Sequence, residues 1–173
     1  RSGPAEARLR LQSPVKRRQD RPVLADVAEV VPLQVFALHL STAKGLDVDL
    51  CFQDFEHELS SLPGKYARPK GRLYLAYDRT EAIACIALRP FDEHVGEVKR
   101  LYVKPSHRRQ GISKILAENI IEEARKIGYQ RLVLDTLNTM IPAMNLYKSL
   151  GFVETEAYYP NPLEGATYFA LDL

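Results

Sequence analysis

Glu97-Val98-Lys99-Arg100-Leu101-Tyr102-Val103-Lys104-Pro105-Ser106-His107-Arg108-Arg109-Gln110-Gly111-Ile112-Ser113 is the stretch on which the reading of this 173-residue chain turns. Residues 97–103 read as a strand, closed by Pro105. Beyond Gly111 the apolar residues Ile112, Ile115, Leu116, Ile120, Ala124 and Ile127 keep helical spacing, and Gly128 stands where a C-terminal cap belongs. The first N–H groups of such a helix lack intrahelical acceptors and carry partial positive charge, which suits a phosphate. A glycine at that point lets an anion approach the main chain closely. Arg108 and Arg109 add full charges beside it. The pattern reads as an anion site, although strand–glycine–helix junctions are also built for structure alone. It is not a nucleotide P-loop, lacking Gly-x4-Gly-Lys-Ser/Thr, and no Gly-x-Gly-x-x-Gly follows a strand to suggest a dinucleotide fold.

Outward from this stretch, two strands precede it at about 71–78 and 81–89, joined by a short turn. Upstream, 28–44 is apolar on several sides and reads as a helix. Phe52, Phe55, Leu59 and Leu62 form one face of a second helix that stops before Pro63-Gly64. Downstream, Arg131 to Asp135 is a short apolar strand of the kind buried inside a sheet. Pro142 opens another helix with Ala143, Leu146, Tyr147 and Leu150 inward, ended by Gly151. Final strands at about 152–158 and 166–173 flank a Pro-rich loop. The order α-α-β-β-β-α-β-α-β-β predicts an α/β (α+β) sheet protein with a parallel crossover in the middle.

Residues 1–22 hold seven of the 24 basic residues and two of the 22 acidic ones. They read as a flexible basic tail, and 23–173 as one domain of mildly acidic balance, which argues against a nucleic-acid-binding surface there. A nucleic-acid role for the tail stays open as a weaker alternative. No apolar run of membrane-spanning length occurs, so no membrane partner is expected. Cys51 and Cys85 are too few for a disulfide framework, and a reducing, cytoplasmic setting is the expectation. His39, His57, His94 and His107 show no ligand spacing, and no metal is expected.

Arg108 to Ser113 resembles the Arg/Gln-x-x-Gly-x-Gly/Ala signature of the GNAT (Gcn5-related N-acetyltransferase) superfamily. Ala143-Met144-Asn145-Leu146-Tyr147-Lys148-Ser149-Leu150-Gly151-Phe152 is similar to that family's Ala-x-x-Leu-Tyr-x-x-x-Gly-Phe segment. Leu62-Pro63-Gly64-Lys65-Tyr66 and Tyr159-Pro160-Asn161-Pro162 also look like a largely uncharacterised bacterial and fungal branch. Two positions depart from the pattern: Ser113 replaces the usual Gly or Ala, and Met140 the Asn of many members.

The resemblance implies a mixed central sheet with a splayed cofactor cleft, and acetyl-CoA as co-substrate without a metal. It implies that Arg108, Arg109, Gln110, Gly111, Ile112 and Ser113 hold the pyrophosphate. Leu101, Tyr102 and Val103 would follow the pantetheine arm, with Met140 nearby. Tyr147 would protonate the departing thiolate, a role suited to a phenol that stays protonated at neutral pH. Glu97 matches the strand glutamate that some members use as general base; a salt-bridged structural carboxylate is the open alternative. Tyr66, Tyr159 and Asn161 are candidates for the acceptor pocket, together with Phe55, Lys65 and Tyr158. The implied reaction is direct acetyl transfer in a ternary complex to a primary amine, a small molecule or amino acid, with a homodimer as an open partner state. A non-catalytic module that senses acyl-CoA is the alternative function.

Overall fold

A computed structural model describes residues 23–26, Glu58 and 61–173. Among these, seven strands form one sheet in the order β1-β2-β3-β4-β5-β7-β6. They are β1 (Val23–Asp26), β2 (Arg72–Asp78), β3 (Glu81–Pro90), β4 (Val95–Val103), β5 (Arg131–Leu137), β6 (Val153–Thr155) and β7 (Ala166–Asp172). Two α-helices accompany them, α1 (Ile112–Ile127) and α2 (Ile141–Ser149). Neighbouring strands pair antiparallel except β4 and β5, which α1 joins as a parallel crossover. No helix among the described residues is long and apolar enough to cross a membrane.

The predicted order holds from β2 onward. β1 is an addition: its four residues pair with Tyr74 to Tyr77, about fifty residues away, a partner that no local pattern announces. The expected basic tail 1–22, the helix at 28–44 and most of the helix through Leu62 lie outside the described residues; Glu58 is helical. The strand expected at 152–158 is shorter, because Tyr158 leaves the ladder to bond Glu97 instead.

β3 explains the architecture. Every residue from Ala82 to Leu88 is buried, as befits a strand covered on both faces. One face packs against α1, whose Ile112, Leu116, Ile120 and Ala124 meet Ile86, Leu88, Val98, Leu132, Leu134 and Phe169. Tyr66, Leu73, Leu75, Cys85, Ala87 and Tyr102 form a smaller cluster on the other. Gly96 keeps the first core closed: a methyl there would sit within about 3.0 Å of Leu88, Leu132 and Tyr129 side-chain atoms.

The feature that positions the site is a parting of strands. β4 and β5 pair only at Val95↔Arg131, Gly96↔Leu132 and Glu97↔Val133, although β4 runs on to Val103 and β5 to Leu137. Beyond Glu97, β4 carries a bulge. Cys85 faces Tyr102 and Ala87 faces Lys99, so Ile86 is matched against both Arg100 and Leu101. Arg100 takes φ 61 to accommodate the extra residue. A bulge bends and over-twists its strand, which carries β4 away from β5 and opens a cleft.

Candidate active site

The cleft is lined by charge on the face away from α1. Side chains alternate along a strand, so Glu97 and Lys99 of β4 share a face. Directly across the ladder, Arg89 of β3 is the register partner of Glu97. Glu97 is fully buried, with 0% exposure. Its Oε2 accepts from Arg89 Nε, and its Oε1 accepts from Tyr158 Oη at 3.0 Å and Lys99 Nζ at 3.1 Å. Lys99 Nζ also donates to Asp135 Oδ1 on β5 at 2.6 Å. Asp135 Oδ2 in turn accepts from Tyr159 Oη at 2.9 Å and Asn161 Nδ2 at 3.1 Å. A buried charge persists only when paired and hydrogen-bonded, and here each carboxylate is met by a cation and a hydroxyl.

Aromatic rings wall this network. Tyr158 lies edge-on to Phe91 and to Tyr168, with centroids 5.1 and 5.4 Å apart, and Tyr159 packs beside both tyrosines. Lys99 Nζ sits over the Tyr159 ring. Burial pushes the Tyr158 hydroxyl far above the ordinary phenol range, and the Glu97 and Asp135 carboxylates push it further. Tyr159 moves the same way for the same reasons, with Asp135 the nearer charge. Both phenols are held as proton donors toward the carboxylates.

A second cluster adjoins the first. Glu58 accepts from Arg100 Nε at 2.8 Å, Lys65 Nζ and Tyr66 Oη at 2.9 Å. Burial alone would raise the Glu58 carboxyl, but the bonds and charges of Arg100 and Lys65 outweigh it and hold the group at about 2. Tyr66 is only 3% exposed, so it forms the floor of this region rather than its opening.

Tyr147 lies on the opposite face, in the core with α1, edge-on to Phe152 at 5.8 Å and tilted against Phe169. Its hydroxyl has no hydrogen-bond partner among the described residues. Burial raises its pKa strongly and the Asp135 charge adds to this, so the phenol is neutral and within electrostatic reach of the cleft.

At the far end, the start of α1 is open. Gly111 is the N-cap residue at φ 78, and no side chain caps the helix. Arg109 is also left-handed at φ 64, and a Cβ on Gly111 would meet nothing within 4 Å. Successive main-chain N–H groups in such a turn form an anion-binding concavity. Arg108, Arg109 and Gln110 are exposed there, with Arg108 Nε on the Val103 carbonyl at 3.1 Å and its guanidinium over the Tyr102 ring. These residues fit a phosphate-bearing group. Ile112 offers only its main chain, since its side chain is core, and Tyr102 likewise is buried beneath Arg108. Ser113 is half-buried in the first turn of α1; Met140 is the half-buried N-cap of α2. The Lys104 N–H bonds Ile83 of β3, so by alternation the main-chain groups of Leu101 and Val103 turn toward the cleft.

The fold thus brings Glu97, Tyr159 and Asn161 into one network, while Tyr147 lies in the core on the opposite face and the 108–113 turn leads into α1. Sequence reasoning passed over Arg89, Lys99 and Asp135. Two signals were there: Lys99 lies two residues from Glu97, and Asp135 is an acid ending an apolar strand.

Residues 38–152 match the family model described as the acetyltransferase (GNAT) family. An uncharacterized N-acetyltransferase of Schizosaccharomyces pombe is 41% identical over 128 residues, covering 73% of this chain and 78% of its own. Among solved structures, an acetyltransferase from Streptococcus agalactiae superposes with a TM-score of 0.75 at 21% identity, covering 88% of this chain and 98% of its own. A GNAT family acetyltransferase from Elizabethkingia anophelis, solved with acetyl-CoA bound, gives 0.65 at 24% identity, over 90% of this chain and 100% of its own.

Proposed function

This chain belongs to the GNAT acetyltransferase family, and from that premise we propose that it transfers the acetyl group of acetyl-CoA to a primary amine of a small molecule or amino acid, by direct attack in a ternary complex. The observation that carries the proposal is the parting of β4 from β5, with an uncapped, glycine-led helix start at one end of the cleft and a buried carboxylate network at the other.

In this reading the main-chain N–H groups at the start of α1, with Arg108 and Arg109, hold the pyrophosphate, and Gln110 and Ser113 border it. The cleft-facing main chain of Leu101 and Val103 pairs with the pantetheine arm in the manner of an added strand. A main-chain N–H at the bulge polarises the thioester carbonyl. Tyr147, neutral and without a hydroxyl partner among the described residues, donates its proton to the sulfur as the C–S bond breaks. Glu97 is sealed from solvent, so it acts as base through Tyr158: the attacking amine gives its proton to the Tyr158 oxygen while the Tyr158 proton passes to Glu97 Oε1. Tyr159 and Asn161, fixed by Asp135, shape the acceptor side.

Thiol release from acetyl-CoA across a panel of amines and amino acids, with Tyr147→Phe beside wild type, tests this. Amine-dependent release that falls roughly 100-fold in the variant, within the range for a lost general acid, is expected. Acetyl-CoA binding without release for any amine would leave the chain a binding module.

A further inference from the structure

Among the described cations that contact Glu97, Asp135 and Glu58, Arg89 has the most donors without a described acceptor. Its Nε is fixed on Glu97 Oε2 by the cross-strand register of β3 and β4. A guanidinium presents further N–H donors on Nη1 and Nη2, in a fork that matches a carboxylate. Those donors meet no acceptor among the described residues, and the side chain is 30% exposed beside a partner that is 0% exposed. Arg89 therefore presents, beyond a buried ion pair, an edge that no described residue occupies. It lies close enough to Glu58 to feel its charge, which sets it between the two clusters of the acceptor side.

The charge balance runs the same way. Among the described residues, Arg89, Lys99, Arg100 and Lys65 surround Glu97, Asp135 and Glu58. Every one of these carboxylates is in contact with two cations or with a cation and further donors, and among the described residues the four cations exceed the three carboxylates by one. An acceptor bearing only an ammonium would enter against that surplus, while one that also bears a carboxylate would neutralise it. The Phe91 and Tyr158 rings border the same end of the cleft and offer an apolar wall for a short side chain.

Resting on the transferase reading above for the identity of the site, we infer that the Nη edge of Arg89 binds the carboxylate of the acceptor, which makes the acceptor a free amino acid rather than a simple amine. Glu97 then has two tasks: it holds Arg89 in the orientation that presents this edge, and it stands one hydroxyl away from the amine. The carboxylate on Arg89 would bring the α-amine of the same molecule toward Tyr158.

The experiment compares free amino acids with their α-carboxamides, both by calorimetric binding to the whole chain and by thiol release from acetyl-CoA. The wild-type protein is expected to prefer the free acid by roughly ten- to a hundredfold, the range of a charge-assisted pair. Arg89→Met is expected to abolish that preference, and Arg89→Lys, which keeps a cation beside Glu97, to reduce it. Circular dichroism of both variants confirms that they fold, and the lysine variant carries the test if the methionine variant does not. Equal binding of acids and amides by the wild-type protein would overturn the inference, as would a preference that survives both substitutions. Discrimination in binding without any thiol release would uphold the carboxylate site while removing the transferase reading.

Discussion

Lys99 of β4 and Asp135 of β5 stand 2.6 Å apart across strands that have already ceased to pair. The backbone ladder ends at Glu97↔Val133, and side-chain charge takes over as the link between the two halves of the sheet. Both side chains are 12% exposed, so water screens the contact little.

Lys99→Met should therefore be costly to stability. It leaves Glu97 and Asp135 buried with one cation fewer, and breaking a buried pair in this way costs about 3 kcal/mol or more. Urea unfolding should show a lower midpoint with unchanged slope. A loss under about 1 kcal/mol would place the contact with screened surface pairs instead.

If the proton leaves through Tyr158 to Glu97, Glu97→Gln and Tyr158→Phe each remove the same relay. Each should lower kcat roughly 100-fold with little change in acetyl-CoA binding. The double variant should be about as slow as either single one, since residues acting as a unit are non-additive. Multiplying effects in steady-state kinetics would separate the two residues.

Gly111→Ala should weaken cofactor binding more than the fold. The added methyl meets no protein atom within 4 Å, but it occupies the concavity proposed for the phosphate, and φ 78 costs an L-residue about 1 kcal/mol. Calorimetry with acetyl-CoA should show at least roughly tenfold weaker binding, equal to about 1.4 kcal/mol. Unchanged affinity would move the pyrophosphate away from the start of α1.

Glu58 supplies a pH dependence with a definite sign. Its carboxyl is held at about 2 in the folded chain against an ordinary 4.5, because Arg100 and Lys65 outweigh the opposing effect of burial. A depressed carboxyl contributes stability fully above about 4.5 and loses it as pH falls toward 2. At about 1.4 kcal/mol per tenfold change in proton affinity, the contribution is about 3 kcal/mol. Glu58→Gln should lower stability by about that amount at pH 7 and flatten the acid limb of the stability profile. An acid limb identical to that of wild type would show that other carboxylates set it.

The sequence by itself determined those features whose cause is local. The periodicity from Ile112 to Ile127, the glycines at its two ends and the short apolar runs of β2 and β3 are written in neighbouring positions, and the helix and hairpin follow from them. The glycine-led turn beside Arg108 and Arg109 was legible for the same reason. Only the tertiary structure decided that Val23–Asp26 joins the sheet, since its partner lies about fifty residues away. It alone placed the bulge at Arg100, which depends on the register between β3 and β4. The carboxylate network was decided there too: Arg89, Glu97, Lys99, Asp135 and Tyr158 come from three strands and a loop, and their charges gather only because β4 and β5 begin together and then part. Helical and strand periodicity record which way a residue faces. They do not record which distant charge will be waiting there.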